Sequence, residues 1–161
     1  MNEVQWLNER ESQAWRGLQF MQLRINGELA RRLAAESDLS HQDYGVLVAL
    51  TDQPDGRVRL GDLGCELGWE KSRLSHHIAR MTKRGLVTKE KCPTDRRGAF
   101  VVVTDFGRSE IAAAAPGHVH AVRELFIDHL SPEQLDQLAE IAETVLAATA
   151  RTESPEDIGK F

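Results

Sequence analysis

The sequence predicts a mainly α-helical fold carrying one small antiparallel β-hairpin. Three observations lead there. Apolar residues recur at helical spacing through most of the 161 residues. The period switches to that of strands only around residues 86–103. Turn formers such as Asp55-Gly56, Gly68, Gly85 and Pro93 mark the junctions. The expected order is four helices, the hairpin, then two more helices.

From Trp6 to Glu36, Trp15, Leu18, Ile25, Leu29 and Leu33 fall on one helical face with Arg and Glu opposite. Ser40, three residues before Asp43, opens a second helix carrying Tyr44, Leu47 and Leu50. Asp52-Gln53-Pro54-Asp55-Gly56 closes it. Leu60, Leu63 and Leu67 make a short helix ending at Gly68, and Glu70–Arg84 a further one stopped by Gly85. Val87–Lys91 and Ala99–Val103 read as two strands joined by the loop Pro93-Thr94-Asp95-Arg96-Arg97-Gly98. Helix then resumes through Phe106 and Ile111, with a kink or break expected at Pro116-Gly117. Val119, Val122, Leu125, Phe126 and Leu130 continue an apolar face. Ser131-Pro132-Glu133-Gln134 starts a last helix whose Leu135, Leu138, Ile141 and Val145 form a seam close to a heptad. The tail from Arg151 is polar.

The formal charge of −5 argues at first against a polyanionic partner, but it is unevenly distributed. Residues 71–97 hold nine Lys or Arg against two acids, a net +7, which leaves −12 on the other 134 residues. Such a split assigns a polyanion to one segment and another task to the rest.

That segment has a definite layout: two short helices with a Gly-containing turn, then a basic hairpin, as in a winged helix-turn-helix. On a helical wheel Leu74, Ile78 and Met81 gather on one side. The expected DNA contacts of this recognition helix are Lys71, Ser72, Arg73, Ser75, His76, His77, Arg80 and Lys83, with the small Ala79 allowing close approach to a major groove. Arg pairs bidentately with guanine, while Ser and His are adaptable donors and acceptors. At the hairpin tip, Asp95, Arg96 and Arg97 suit a minor groove. Its negative potential attracts guanidinium groups, and a neighbouring carboxylate orients them.

The run from Leu60 through Thr104 resembles the MarR family of winged-helix transcription regulators. Its carriers are Arg84-Gly85-Leu86-Val87 at the helix-to-wing junction, Asp95, Arg97 and Thr104 in the wing signature, and Asp105-Phe106-Gly107-Arg108 beginning the next helix. The resemblance covers about residues 30–150 and implies a six-helix winged helix-turn-helix forming an intertwined homodimer. Residues 39–104 would be the DNA-binding lobe, and 1–38 with 105–161 the helical dimerisation region. It further implies a repressor of neighbouring genes on a pseudo-palindromic operator, released by a small, often phenolic, effector. Trp15, His41 and Tyr44 are the candidates to line the effector pocket. The reactive first-helix Cys of the family's peroxide sensors has no counterpart here. Cys65 is expected to be buried packing, and Cys92, near the wing, to be more exposed.

Other classes fit less well. GxSxG, GxxxxGK[ST] and HExxH motifs are all missing, so no catalytic residue, metal site or cofactor is expected. His76-His77 diverge by about 100° on a helix, too far to chelate one ion. His118-Val119-His120 would need a bent segment or a second chain to bind metal. Redox or metal control through Cys65, Cys92 or His residues, and a protein-interaction module that does not read DNA, remain the alternatives. The two cysteines form no CxxC pair, and no run of 18 apolar residues occurs; a cytoplasmic protein with no membrane partner is expected.

Overall fold

A computed structural model describes residues 4–91 and 98–150. Its elements are α1 (Glu9–Glu36), α2 (His41–Thr51), β1 (Arg57–Arg59), α3 (Leu60–Leu67), α4 (Lys71–Lys83), β2 (Val87–Lys91), β3 (Ala99–Val103), α5 (Asp105–Leu125) and α6 (Pro132–Ala150), with a 3₁₀ turn at Ile127–His129. The six-helix winged helix-turn-helix architecture is therefore present. The chain divides into two compact units, residues 1–121 and 122–161.

Local chemistry sets the helix starts. Asn8 caps α1 by accepting from the Glu11 N–H at 3.0 Å, and Glu11 returns the bond to the Asn8 N–H at 2.8 Å. That box starts α1 at Glu9, so Trp6 and Leu7 precede the helix rather than belonging to it. Ser40 and Asp43 make the same reciprocal pair at α2, as do Ser131 and Gln134 at α6. Gly68, at φ +62°, closes α3 in the left-handed region, and the Trp69 N–H reaches back to the Gly64 carbonyl at 2.9 Å. That tight exit turns the chain directly into α4.

The sheet has the antiparallel order β1-β3-β2. Val87 pairs with Val103 and Lys91 with Ala99 across the wing, as the alternation predicted. The third strand is new. Arg57 pairs with Val102 and Arg59 with Phe100, so β1 shields the free edge of β3. Beneath the sheet, Leu47 and Leu50 of α2, Leu63 of α3, Leu74, Ile78 and Met81 of α4, and Val87 and Val101 pack as one buried cluster, joined by Leu33 of α1 and Ile111 of α5. Gly107 lies so close to the Leu86 carbonyl oxygen that a Cβ there would collide with it. Thr104 completes the junction, donating to the Gly85 carbonyl at 2.5 Å and accepting from the Gly107 N–H at 2.9 Å.

Two expectations are corrected. Pro116 does not break the chain: α5 runs unbroken from Asp105 to Leu125, because proline's fixed φ is itself helical and the alanines before it favour helix. Cys65 is exposed, on the outer side of α3 away from buried Leu63. Cys92 lies outside the described residues. Among the described residues no helix is long and apolar enough to cross a membrane.

Candidate nucleic-acid interface

The three buried residues Leu74, Ile78 and Met81 fasten α4 to the core and thereby fix which side faces out. On that outer side Lys71, Ser72, Arg73, His76, Arg80 and Lys83 are exposed, with Ala79 between them, and Ser75 is half-buried. One predicted contact residue is not there. His77 is only 7% exposed and turns inward, its Nε2 3.0 Å from Oδ1 of Asp43. Its place on the wheel, next to Ile78 and one turn from Leu74 and Met81, puts it at the border of the buried face. The Asp43 carboxylate draws it the rest of the way.

Asp43 organises this corner. Its Oδ2 accepts from Arg84 Nη1 at 2.6 Å and from the Ser40 N–H at 2.9 Å, while Arg84 Nη2 reaches the Asp38 carbonyl at 2.5 Å. Burial by itself would raise the Asp43 carboxyl. The His77 contact, the Ser40 bonds and the Arg84 guanidinium outweigh it and hold that carboxyl well below the usual carboxylate range. Arg84 is thus a cross-link from the end of α4 to the start of α2. The Ser40 box was legible as a helix start; nothing local signalled that its Asp43 would also receive His77 and Arg84 from the recognition helix.

Around this anchor opens a cleft of about 430 Å³, with Ser40 and Gln42 on one wall and Arg73, Arg80 and Arg84 on the other. The Arg73 guanidinium lies 4.7 Å over the Trp69 ring, and Arg80 Nη2 is 2.9 Å from His77 Nδ1. Both arginines are therefore held against neighbouring rings, which lowers the entropy lost when they bind. At the base of the wing Arg57 sits 4.1 Å over Phe100 and pairs with Glu90 at 3.4 Å, with Arg59 5.3 Å from the same ring. Neither arginine was anticipated, although Arg57-Val58-Arg59 alternates as a strand should. Lys89 and Lys91 extend the basic edge along β2. Asp95, Arg96 and Arg97 lie outside the described residues.

The three expected effector-pocket residues differ in burial. Trp15 is exposed on α1, whereas Tyr44 is buried and half-buried His41 lies near it. His118 of α5 joins that pair, its ring 4.2 Å from Tyr44 and 6.3 Å from His41. Nδ1 of His41 and of His118 are both buried without a hydrogen-bond partner among the described residues. Burial, and then the nearby His41, push the His118 imidazole below its ordinary range, and burial raises the Tyr44 phenol. Among the described residues no three His, Cys, Asp or Glu side chains come together as a metal site.

The MarR family profile matches residues 37–98. The transcriptional regulator HosA of Escherichia coli O111:H- is 33% identical over 112 residues, 69% of this chain and 80% of HosA. Among solved structures, AbsC, a MarR family transcriptional regulator from Streptomyces coelicolor, matches with a TM-score of 0.84 and 37% identity, over 93% of this chain and 100% of AbsC. Sco3205, a MarR family regulator from the same organism solved in complex with DNA, gives 0.86 and 36%, over 97% of this chain and 96% of its own. Fold, recognition-helix layout and relatives agree, and the chain belongs to the MarR family of transcriptional regulators.

Proposed function

We propose that the protein is a dimeric, sequence-specific DNA-binding repressor that acts by binding rather than catalysis. The observation that carries this is the outer face of α4, where Lys71, Ser72, Arg73, His76, Arg80 and Lys83 stand exposed over a fully buried Leu74–Ile78–Met81 base. Arg73 and Arg80 read base edges in the major groove, and Ser72, Ser75, Lys71 and Lys83 engage phosphates and fix the register. Arg96 and Arg97 of the wing enter the minor groove, with Asp95 orienting them. Sco3205, 36% identical, was solved with DNA, which supports the same use of this face.

Dimerisation is supported by apolar residues left uncovered. Trp15, Phe20 and Leu23 of α1 are 55%, 62% and 71% exposed, and Ile141, Val145 and Leu146 of α6 are 60%, 56% and 66% exposed. A second copy covers them, with residues 1–38 and 105–161 forming the dimer and 39–104 the reading lobe. Two-fold symmetry then spaces the recognition helices about 34 Å apart, one turn of DNA, on a pseudo-palindromic operator. A small effector releases the DNA by entering beside Tyr44, His41 and His118, where the unpartnered Nδ1 atoms of the two histidines offer it hydrogen bonds. Footprinting on the DNA flanking the gene tests the reading. Protection of an inverted repeat with half-sites one turn apart is expected, and protection nowhere along that DNA would overturn it.

A further inference from the structure

The contact between His77 and Arg80 has a definite proton arrangement. A guanidinium has only donors, so Arg80 Nη2, 2.9 Å from His77 Nδ1, requires a lone pair on that nitrogen. With Nδ1 accepting, the ring carries its one proton on Nε2, which lies 3.0 Å from Asp43 Oδ1, an ion-pair distance without the alignment of a hydrogen bond. Asp43 is itself fixed by the Ser40 N–H and by Arg84. Trp69 sets the ring from the side, its own ring 5.2 Å away and nearly perpendicular at 83°. The arginine contact therefore selects one tautomer of a buried histidine, the one whose Nδ1 lone pair faces the guanidinium, and the Asp43 carboxylate beside Nε2 favours the same tautomer by charge.

Building on the DNA-binding function proposed above, we propose that His77 is a positioning residue for sequence readout: it never touches DNA, but its Nδ1 holds the Arg80 guanidinium in the orientation that reads a base. One of the five N–H donors of Arg80 is engaged by His77, which leaves the fork's remaining donors for the two acceptors of guanine. An arginine so held loses less side-chain freedom on binding than a free one, and a wrong base does not gain by letting it swing away. Asp43 and Arg84 tie the same device to the start of α2, so its geometry depends on the two helices keeping their relation.

The test uses the full-length protein and has two arms. In the DNA-free protein, long-range ¹⁵N spectra of the histidine rings at neutral pH should show His77 protonated at Nε2 only. A doubly protonated ring or the Nδ1–H tautomer would overturn the proposal whatever DNA does. In the second arm, anisotropy titrations compare the operator with a scrambled duplex for wild type, His77→Phe, His77→Gln, Arg80→Ala and His77→Phe with Arg80→Ala. Phe keeps the ring against Trp69 but has no nitrogen, and should cut the operator preference about 5–20-fold while leaving scrambled-duplex affinity unchanged. Gln keeps both an acceptor and a donor and should retain most of the preference. In the Arg80→Ala background, His77→Phe should change nothing further. Equal losses on both duplexes, a full additive loss in the double variant, or no rescue by Gln in a folded protein would each overturn it. Should Phe fail to fold, the Gln variant and the tautomer decide. A wild type with no preference for any duplex would instead remove the DNA-reading function, leaving the tautomer arm to judge the geometry.

Discussion

In α4 the large apolar residues Leu74, Ile78 and Met81 are at most 1% exposed, whereas in α6 Ile141, Val145 and Leu146 are 56–66% exposed. Both helices carry their apolar residues at the same three-to-four spacing, and both begin beside a turn. Spacing reports that a helix has a face to bury; it does not report who covers it. The reading lobe finds its cover within its own unit, from α2, α3 and the sheet. The terminal helices expose theirs, and the charge distribution follows the same division, with the basic excess confined to the part that is already packed. A lobe that completes its own core can devote its outer face to a ligand, while helices that cannot leave an apolar face for a partner, here proposed to be a second copy.

The comparison breaks most readily at α6. Replacing Ile141 and Val145 together by Asp should raise the dimer dissociation constant more than about 10²-fold, since each large apolar side chain buried contributes about 1.5–3 kcal/mol. Sedimentation velocity reads this directly, and an unchanged dimer would put the interface elsewhere. Inside the lobe, Asp43→Ala should lower the unfolding free energy by about 1–3 kcal/mol, because it removes the acceptor of the Ser40 N–H and of the part-exposed Arg84 and the carboxylate beside His77. The pH dependence has a sign. The folded carboxyl is held below its ordinary value, so its stabilisation is fully present above about pH 4 and fades as acid approaches the folded value. Denaturant melts of wild type and Asp43→Asn should therefore differ most near neutrality and converge below about pH 4. A gap independent of pH would mean that Asp43 acts only through its shape.

Smaller effects belong to the outer face. Arg80→Ala should weaken operator binding by about 1–3 kcal/mol, roughly 5–150-fold, with little change on scrambled DNA. Lys89→Ala on the wing should weaken all duplexes alike and reduce the salt slope of binding by about one. If the two variants behaved identically, α4 would be no more a reader than the wing strand.

Much of this was legible beforehand. The capping pairs at Ser40 and Ser131, the wing strands and the buried side of α4 rest on local spacing, which a sequence displays. What was hidden depended on partners distant along the chain. β1 is three residues long and exists because β3, more than forty residues later, pairs with it. His77 looked like its neighbour His76, and its place at the border of the buried face together with the carboxylate of Asp43, 34 positions earlier, separates a buried ring from an exposed one. Cys65 sits amid apolar residues in sequence yet points outward, because a helix of eight residues buries only one narrow face. The two arginines of β1 escaped notice with their strand.

Sequence-specific DNA binding is tested most directly by fluorescence anisotropy at two salt concentrations, on the inverted repeat nearest the gene and on a scrambled duplex of equal length. The expected result is a preference for the repeat of at least about 10³-fold, with affinity for both duplexes falling steeply as salt rises. Equal affinity for the two duplexes at both salt concentrations would contradict it.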